Sequence, residues 1–254
     1  MNVLITGGNG YIASNLALKL VNVSTTSINR SNFNLCDAKS TSQFLSKNSF
    51  DVVIHTAVEG GSRLKQDSED IVFKNISMYY NIIENRKHFG KLITFGSGSE
   101  IFNPHSPYGM SKRIIYDLMQ SDPYFYNMCI FAVFGHNELP TRFIKNNITN
   151  YINKKDITIH QDKFMDFVYM DDLVQMVQYY IDNPSPPKVI DCCYNKSYKL
   201  SDIANCINRL DNHTVPIKFN TTEFGNNYTG NFTSLPINLI GLEQGIIQTY
   251  KMLK

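Results

Sequence analysis

The chain has 254 residues, a formal net charge of +2, 43% hydrophobic and 18% charged residues. That length and apolar content allow one large domain, or one domain with a small appendage, around a substantial core. The near-neutral balance excludes the basic field of a nucleic-acid binder, and no apolar stretch reaches membrane-spanning length, so neither nucleic acid nor membrane is expected as a partner.

Asn2–Thr6 is a short apolar run that predicts a buried strand. Gly7-Gly-Asn-Gly10-Tyr-Ile-Ala13 follows, then a helical pattern carried by Ile12, Leu16, Leu18 and Leu20. Strand, glycine turn and helix together make a phosphate site. Glycine lets the backbone approach a pyrophosphate, and the helix N-terminus offers N–H groups and a partial positive charge. The spacing is G-x-x-G-x-x-A rather than G-x-G-x-x-G, with Ala13 suited to close helix–strand packing. A second strand is expected near Thr25–Asn29. A carboxylate at its end would bind a ribose 2′-hydroxyl, but here the end reads Ser27-Ile-Asn-Arg30. Arg30 therefore favours NADP(H), with NAD(H) as the alternative. Asn34, Leu35 and Cys36 fall where the adenine would lie, and Asp37 is placed to cap a helix over Ala38–Lys47.

The pattern continues with a strand at Asp51–Ala57, a helix over Asp70–Lys87 and a strand at Lys91–Gly96. Pro107 marks the start of a helix running Tyr108–Met119, which sets the Tyr108 phenol and the Lys112 ammonium on one face. An ammonium beside a phenol favours the phenolate, so Tyr108 is expected to ionise more readily than usual and to serve as a general acid or base. Next come a strand at Met128–Phe134, a helix over Asp171–Ile181 and a strand at Val189–Cys193. Helices close the chain at Ser201–Leu210, with Ser201 as its cap, and at Gly241–Met252. This alternation predicts an α/β fold, a Rossmann-type doubly wound parallel sheet. Ligands of such sheets sit beyond the C-terminal strand ends, where the Gly7 turn, Arg30, Ala57, Ser97 and Val133–Gly135 all fall.

Residues 1–135 plus 166–195 are expected to form the dinucleotide-binding domain. Residues 136–165 plus 196–254, punctuated by Asn and Pro, are expected to form a small substrate-binding lobe. The five cysteines lie mostly in apolar runs, which predicts reduced thiols and a cytoplasmic protein; Met1 leads straight into a strand, so no signal peptide is expected. No Cys/His cluster has metal-ligand spacing, and no metal is expected.

Taken together, Thr6-Gly-Gly-Asn-Gly-Tyr-Ile-Ala13, Ile54-His-Thr-Ala57, Phe73-Lys-Asn75, Phe95-Gly-Ser97, Tyr108-Gly-Met-Ser-Lys112, Val133-Phe-Gly135 and Asp166–Leu173 resemble the extended short-chain dehydrogenase/reductase family of nucleotide-sugar epimerases, dehydratases and reductases. Within it, Arg30, Asn34-Leu35 and Gly60-Gly61 are most similar to 4-ketoreductases of the GDP-L-fucose synthase type. The resemblance implies a Ser97/Tyr108/Lys112 active site. In it Tyr108 exchanges a proton with the substrate oxygen, Ser97 hydrogen-bonds that oxygen, and Lys112 holds the nicotinamide ribose. It implies cofactor contacts at Gly7, Gly10, Tyr11, Ile12, Arg30 and Asn34. Further contacts are implied at Leu35, His55, Ala57, Lys112 and Val133. It implies a nucleotide-sugar substrate and a homodimer. Ser99, standing where that branch carries a Cys used in epimerisation, is assigned to the substrate pocket, and Arg142 or Lys163 to a diphosphate contact. Ser99-Glu100 offers one carboxylate where dehydratases carry an Asp-Glu pair. The expected activity is NADPH-dependent reduction of a nucleotide-activated 4-keto sugar. The alternatives are an NAD-retaining 4-epimerase or 4,6-dehydratase, or a dinucleotide-binding sensor without turnover.

Overall fold

The computed structural model describes residues 1–62 and 64–254. Its first elements are β1 (Asn2–Thr6), α1 (Tyr11–Lys19), β2 (Ser24–Ile28), α2 (Ala38–Ser46), β3 (Phe50–His55), α3 (Asp70–Ile83), β4 (Phe89–Ser97), the one-turn α4 (Ser99–Phe102), α5 (Pro107–Met119) and β5 (Phe125–Ile130). The chain continues with β6 (Val133–Phe134), α6 (Phe143–Ile152), β7 (Ile157–Ile159), β8 (Val168–Tyr169), α7 (Met170–Asp182), β9 (Val189–Asp191), α8 (Leu200–Ile207), β10 (Ile217–Phe219) and α9 (Leu242–Leu253). It forms two compact units, 1–129 plus 177–190 and 130–176 plus 191–254.

The first unit is a Rossmann-type α/β structure built on a six-stranded sheet of order β2-β1-β3-β4-β5-β9. β1 runs parallel to β2, with Val3 opposite Thr25, and to β3, with Val3 opposite Val52; β3 runs parallel to β4 with Val53 opposite Leu92. The central strands read as continuous apolar runs because helices cover both faces: Val3, Leu4, Ile5, Val53, Ile54, Leu92 and Ile93 are all buried. Local chemistry fixes the helix starts. Asp37 accepts the N–H groups of Lys39 at 3.0 Å and Ser40 at 3.4 Å, a cap worth about 1 kcal/mol. Ser106 accepts the N–H of Gly109 at 3.0 Å, and Pro107 occupies the first turn of α5, where its missing N–H costs nothing.

The second unit packs α6, α8 and α9 around an apolar cluster that includes Phe134, Ile144, Ile148, Tyr151, Ile203, Ile207 and Ile246. Two short parallel pairs, β6 with β8 and β7 with β10, complete it. Asp172 is fully buried and accepts the N–H groups of Ile240 at 2.6 Å and Gly241 at 2.9 Å and the Tyr194 hydroxyl, tying the segment before α9 to α7.

The strand expected at Met128–Phe134 and the cap expected at Ser201 differ from the sequence reading. The run Met128–Phe134 is not one strand. β5 begins at Phe125, and Val133–Phe134 pair with Val168–Tyr169 in the second unit. An unbroken apolar run does not show where the chain leaves one core for another. Ser201 is not a helix cap but the second residue of α8: its N–H and hydroxyl both donate to Asp162, at 3.1 and 2.7 Å. Asp162 lies 39 residues away in sequence, and a local motif cannot register it. Among the described residues, no helix is long and apolar enough to cross a membrane.

Candidate functional site

The turn after β1 is built around Gly7, whose φ of +71° is costly for any residue with a side chain. A Cβ there would lie 2.8 Å from Ala57 Cα and 2.9 Å from Ala57 N. The adjoining strand ends are stapled through Thr6. Its hydroxyl accepts the Ala57 N–H at 3.2 Å and pairs with His55 Nδ1 at 2.9 Å, while Thr56 donates its hydroxyl to the Thr6 carbonyl. Burial, then the positive charge of Lys112, hold the His55 imidazole down to about 3, so it is neutral and can accept the Thr6 O–H. Gly10 heads α1 with extended backbone angles, and no side chain caps that helix.

Beyond this turn opens a cavity of about 480 Å³, within the size range of small-molecule sites. The glycine turn (Gly7, Asn9, Gly10), the loop after β2 (Asn29 to Cys36) and the loop after β3 (Thr56 to Glu59) supply most of its wall. These features fit a dinucleotide. A side chain at position 7 would fill the cradle, the start of α1 is uncapped, and apolar Phe33, Leu35 and Met78 offer a flat lining for a base. Of the cofactor contacts expected from sequence, Gly7, Gly10, Arg30, Asn34, Leu35 and Ala57 line this cavity. Tyr11, Ile12, His55 and Lys112 do not.

Arg30 is presented by a loop that Asn29 organises: its side chain accepts the Ser31 N–H at 2.8 Å and donates to Asn9 Oδ1 at 3.0 Å. Asx turns of this kind are legible in Asn29-Arg-Ser-Asn32, though the sequence reading missed them. It also missed Glu59, which lines the same cavity and forms an ion pair with Arg30.

Ser97, Tyr108 and Lys112 come from the end of β4 and the first turns of α5. Lys112 is buried and donates from Nζ to the Phe95 carbonyl at 2.6 Å, with Nζ 5.8 Å from the centre of the Tyr108 ring. Burial pulls its ammonium down to about 8, opposed in part by the charge of Glu100. Ser97 is buried and its Oγ accepts the Ser99 N–H at 3.2 Å. Ser99 begins α4 beside it. Glu100, the single carboxylate where dehydratases carry an Asp-Glu pair, is buried at 5% exposure and accepts the Ser97 N–H at 3.4 Å. A hydrogen-bond chain ties α5 to the cavity rim. The Tyr108 carbonyl accepts the Ser111 hydroxyl at 2.8 Å, Ser111 Oγ accepts from Asn75 Nδ2 at 3.0 Å, and Asn75 brackets Glu59.

Gly61 packs directly on the tyrosine. With φ of +72°, a Cβ there would sit 2.9 Å from Tyr108 Cε2 and Cζ. Gly61→Ala is expected to lower turnover by about ten- to a hundredfold by displacing that ring, since misplacements near 1 Å cost on that scale. Steady-state kinetics alongside circular dichroism checks this; unchanged turnover would mean the ring's seat is not critical.

Val133, Arg142 and Lys163 belong to the second unit. Arg142 precedes α6, and Lys163 Nζ lies 5.8 Å over the Tyr228 ring. Between Gly135 and α6, Glu138 is buried at 4% exposure, and its Oε1 has no hydrogen-bond partner among the described residues. Burial pushes its carboxyl up to about 8, against the opposing pull of Lys145 and Arg142. In the unfolded chain it titrates near the ordinary 4.5. The folded state therefore holds a proton that the unfolded state releases as pH rises from there toward 8, so stability falls across that window. Glu138→Gln should remove this dependence. Urea denaturation at pH near 5 and near 8 is expected to show the variant gaining on wild type by an amount on the order of a few kcal/mol at the higher pH. Parallel pH profiles would refute it.

Among the described residues, no group of three His, Cys, Asp or Glu is placed to hold a metal ion. A profile of the NAD dependent epimerase/dehydratase family matches residues 3–193. No curated protein sequence matches the chain. Solved structures with the same fold include a GDP-L-fucose synthetase from Naegleria fowleri, at 17% identity and TM-score 0.81, over 98% of this chain and 92% of that one. A GDP-mannoheptose C4 reductase from Campylobacter jejuni with NADP bound matches at 16% identity and TM-score 0.78, over 99% and 98%. A UDP-glucuronic acid 4-epimerase from Bacillus cereus, in complex with UDP-glucuronic acid and NAD, matches at 19% identity and TM-score 0.77 over 100% of both chains.

Proposed function

Because the chain belongs to the NAD dependent epimerase/dehydratase family and is thus an NAD(P)-dependent enzyme, we propose that it is an NADPH-dependent reductase of a nucleotide-activated 4-keto sugar, 6-deoxy sugars included. The observation that carries this reading is a buried Lys112 one turn beyond Tyr108, in the same unit as a glycine-turn cavity with Arg30 on its rim. A bound reduced dinucleotide would supply the hydride for the keto carbon. Tyr108 would give the oxygen its proton, completing the alcohol. Ser97 would donate a hydrogen bond to that oxygen, holding it toward the phenol. Lys112, mostly protonated near neutral pH with its ammonium near 8, would favour phenolate once the proton has left and would contact the ribose of the dinucleotide. Gly7 and Gly10 would admit the pyrophosphate, and Arg30 would pair with the 2′-phosphate. Arg142 and Lys163 are our proposed contacts for the sugar diphosphate. Ser99, a hydroxyl where a thiol would be the stronger acid, supports reduction without an added epimerisation step.

The test is incubation of the purified protein with NADPH and each of a panel of GDP-, UDP- and dTDP-linked 4-keto-6-deoxy sugars. Consumption of NADPH with one mole of alcohol formed per mole oxidised supports the reading. Conversion of any nucleotide sugar with no net cofactor oxidation would replace it with the NAD-retaining epimerase or dehydratase reading.

A further inference from the structure

Arg30 is not presented alone to the cavity. Its guanidinium is ion-paired with Glu59, and both side chains line the cavity wall. Arg30 comes from the loop after β2, Glu59 from the loop after β3. The Glu59 backbone is fixed on both sides by Asn75, a residue only 1% exposed: Asn75 Oδ1 accepts the Glu59 N–H at 2.8 Å, and Asn75 Nδ2 donates to the Glu59 carbonyl at 3.1 Å. The carboxylate is therefore carried on an anchored main chain. The next cation, Lys74, is committed to Asp70 at 2.6 Å, one helical turn before it. The Cys36 thiol reports the same neighbourhood, its ionisation opposed by burial and by Glu59 and favoured by Lys74 and Arg30. At this end of the cavity the charge of Arg30 is thus balanced by that of Glu59.

We propose that Glu59 is a specificity-determining residue that sets the balance between NADPH and NADH by competing with a ribose 2′-phosphate for Arg30. The proposal rests on the reading of Arg30 as the 2′-phosphate partner. The Arg30 side chain is 74% exposed, and ion pairs so placed are weak, so a doubly charged phosphate displaces Glu59 from Arg30 readily. Glu59 then remains within Coulomb range of the phosphate and opposes it. A 2′-hydroxyl meets the reverse situation, since a carboxylate accepts a hydrogen bond from it while Arg30 stays paired. The site consequently takes both dinucleotides with a narrow margin, and Glu59 is what narrows it.

Dinucleotide binding to the 254-residue chain without sugar, followed by calorimetry with NADPH and NADH, tests this for wild type, Glu59→Gln and Arg30→Gln. Glu59→Gln keeps the backbone bonds to Asn75 and removes the charge. It is expected to tighten NADPH about tenfold relative to NADH at low salt, a shift that shrinks at high salt as the repulsion is screened. Arg30→Gln should move the ratio the other way. An unchanged ratio in Glu59→Gln, with Arg30→Gln still losing NADPH, overturns the role of Glu59 and leaves Arg30 as the phosphate partner. Unchanged NADPH binding in Arg30→Gln, or no binding of either dinucleotide by wild type, overturns the Arg30 reading and this proposal with it.

Discussion

Tyr108→Phe is expected to lower kcat for carbonyl reduction by about a thousandfold, within the 10²–10⁴ range of a lost general acid, while leaving dinucleotide affinity unchanged. The substitution isolates the hydroxyl. The ring that packs on Gly61 is retained, and the Lys112 bond to the Phe95 carbonyl does not involve the phenol. α5 keeps its Ser106 cap and its Ser111–Asn75 link to the cavity rim, since neither uses the hydroxyl. Turnover within a factor of about ten of wild type would remove Tyr108 from the proton-transfer role, because solvent alone would then be doing the work.

Gly7→Ala is expected to weaken dinucleotide binding by about a hundredfold, which corresponds to roughly 3 kcal/mol. Two costs combine. The left-handed backbone at position 7 costs a residue with a side chain about 1–2 kcal/mol. The added Cβ also meets the Ala57 backbone below 3 Å, and that backbone is held by the Thr6 and Thr56 hydroxyls, so it cannot yield cheaply. Relief must come from the turn itself, which would swing the Gly7–Gly10 segment into the cavity. Gly8 and Gly10 do not share this combination: neither has a positive φ, and a Cβ at Gly10 would meet only the Gly7 carbonyl, at 3.1 Å. Gly10→Ala should therefore cost less than Gly7→Ala, and equal losses would place the strain elsewhere. Calorimetric titration with NADPH, paired with thermal melts to score folding, separates the two variants.

What the sequence revealed depended on whether the responsible contact was local. The Gly7–Gly10 turn, the Asp37 cap, the Pro107 start and the Tyr108–Lys112 spacing are each settled within a few residues, and the structure forms the corresponding elements. The alternating apolar runs sufficed for a doubly wound sheet because buried parallel strands need side chains apolar on both faces. The partners of these residues were not legible. Glu59 lies 29 positions from Arg30, and Asn75 a further 16 from Glu59, so their convergence depends on which strands are neighbours. Glu100 followed a plausible motif, but its side chain turns inward to the Ser97 N–H, which one residue's identity cannot reveal. Glu138 sits in a polar loop in sequence and is nonetheless buried, which its neighbours in the chain do not reveal. The Ser201 cap failed for the same reason: Asp162, from a distant segment, occupies the role a local hydroxyl would have filled.

In the proposed reaction a hydride leaves the dinucleotide for the sugar and Tyr108 supplies the matching proton. It is tested most directly by running the reaction with NADPH carrying deuterium at its transferable C4 position and following the label by mass spectrometry and NMR. One deuterium is expected on C4 of the nucleotide sugar for each NADP+ formed, with label transfer slowed by orders of magnitude in Tyr108→Phe. A sugar that is converted but carries no deuterium, with the added NADPH unoxidised, would contradict it.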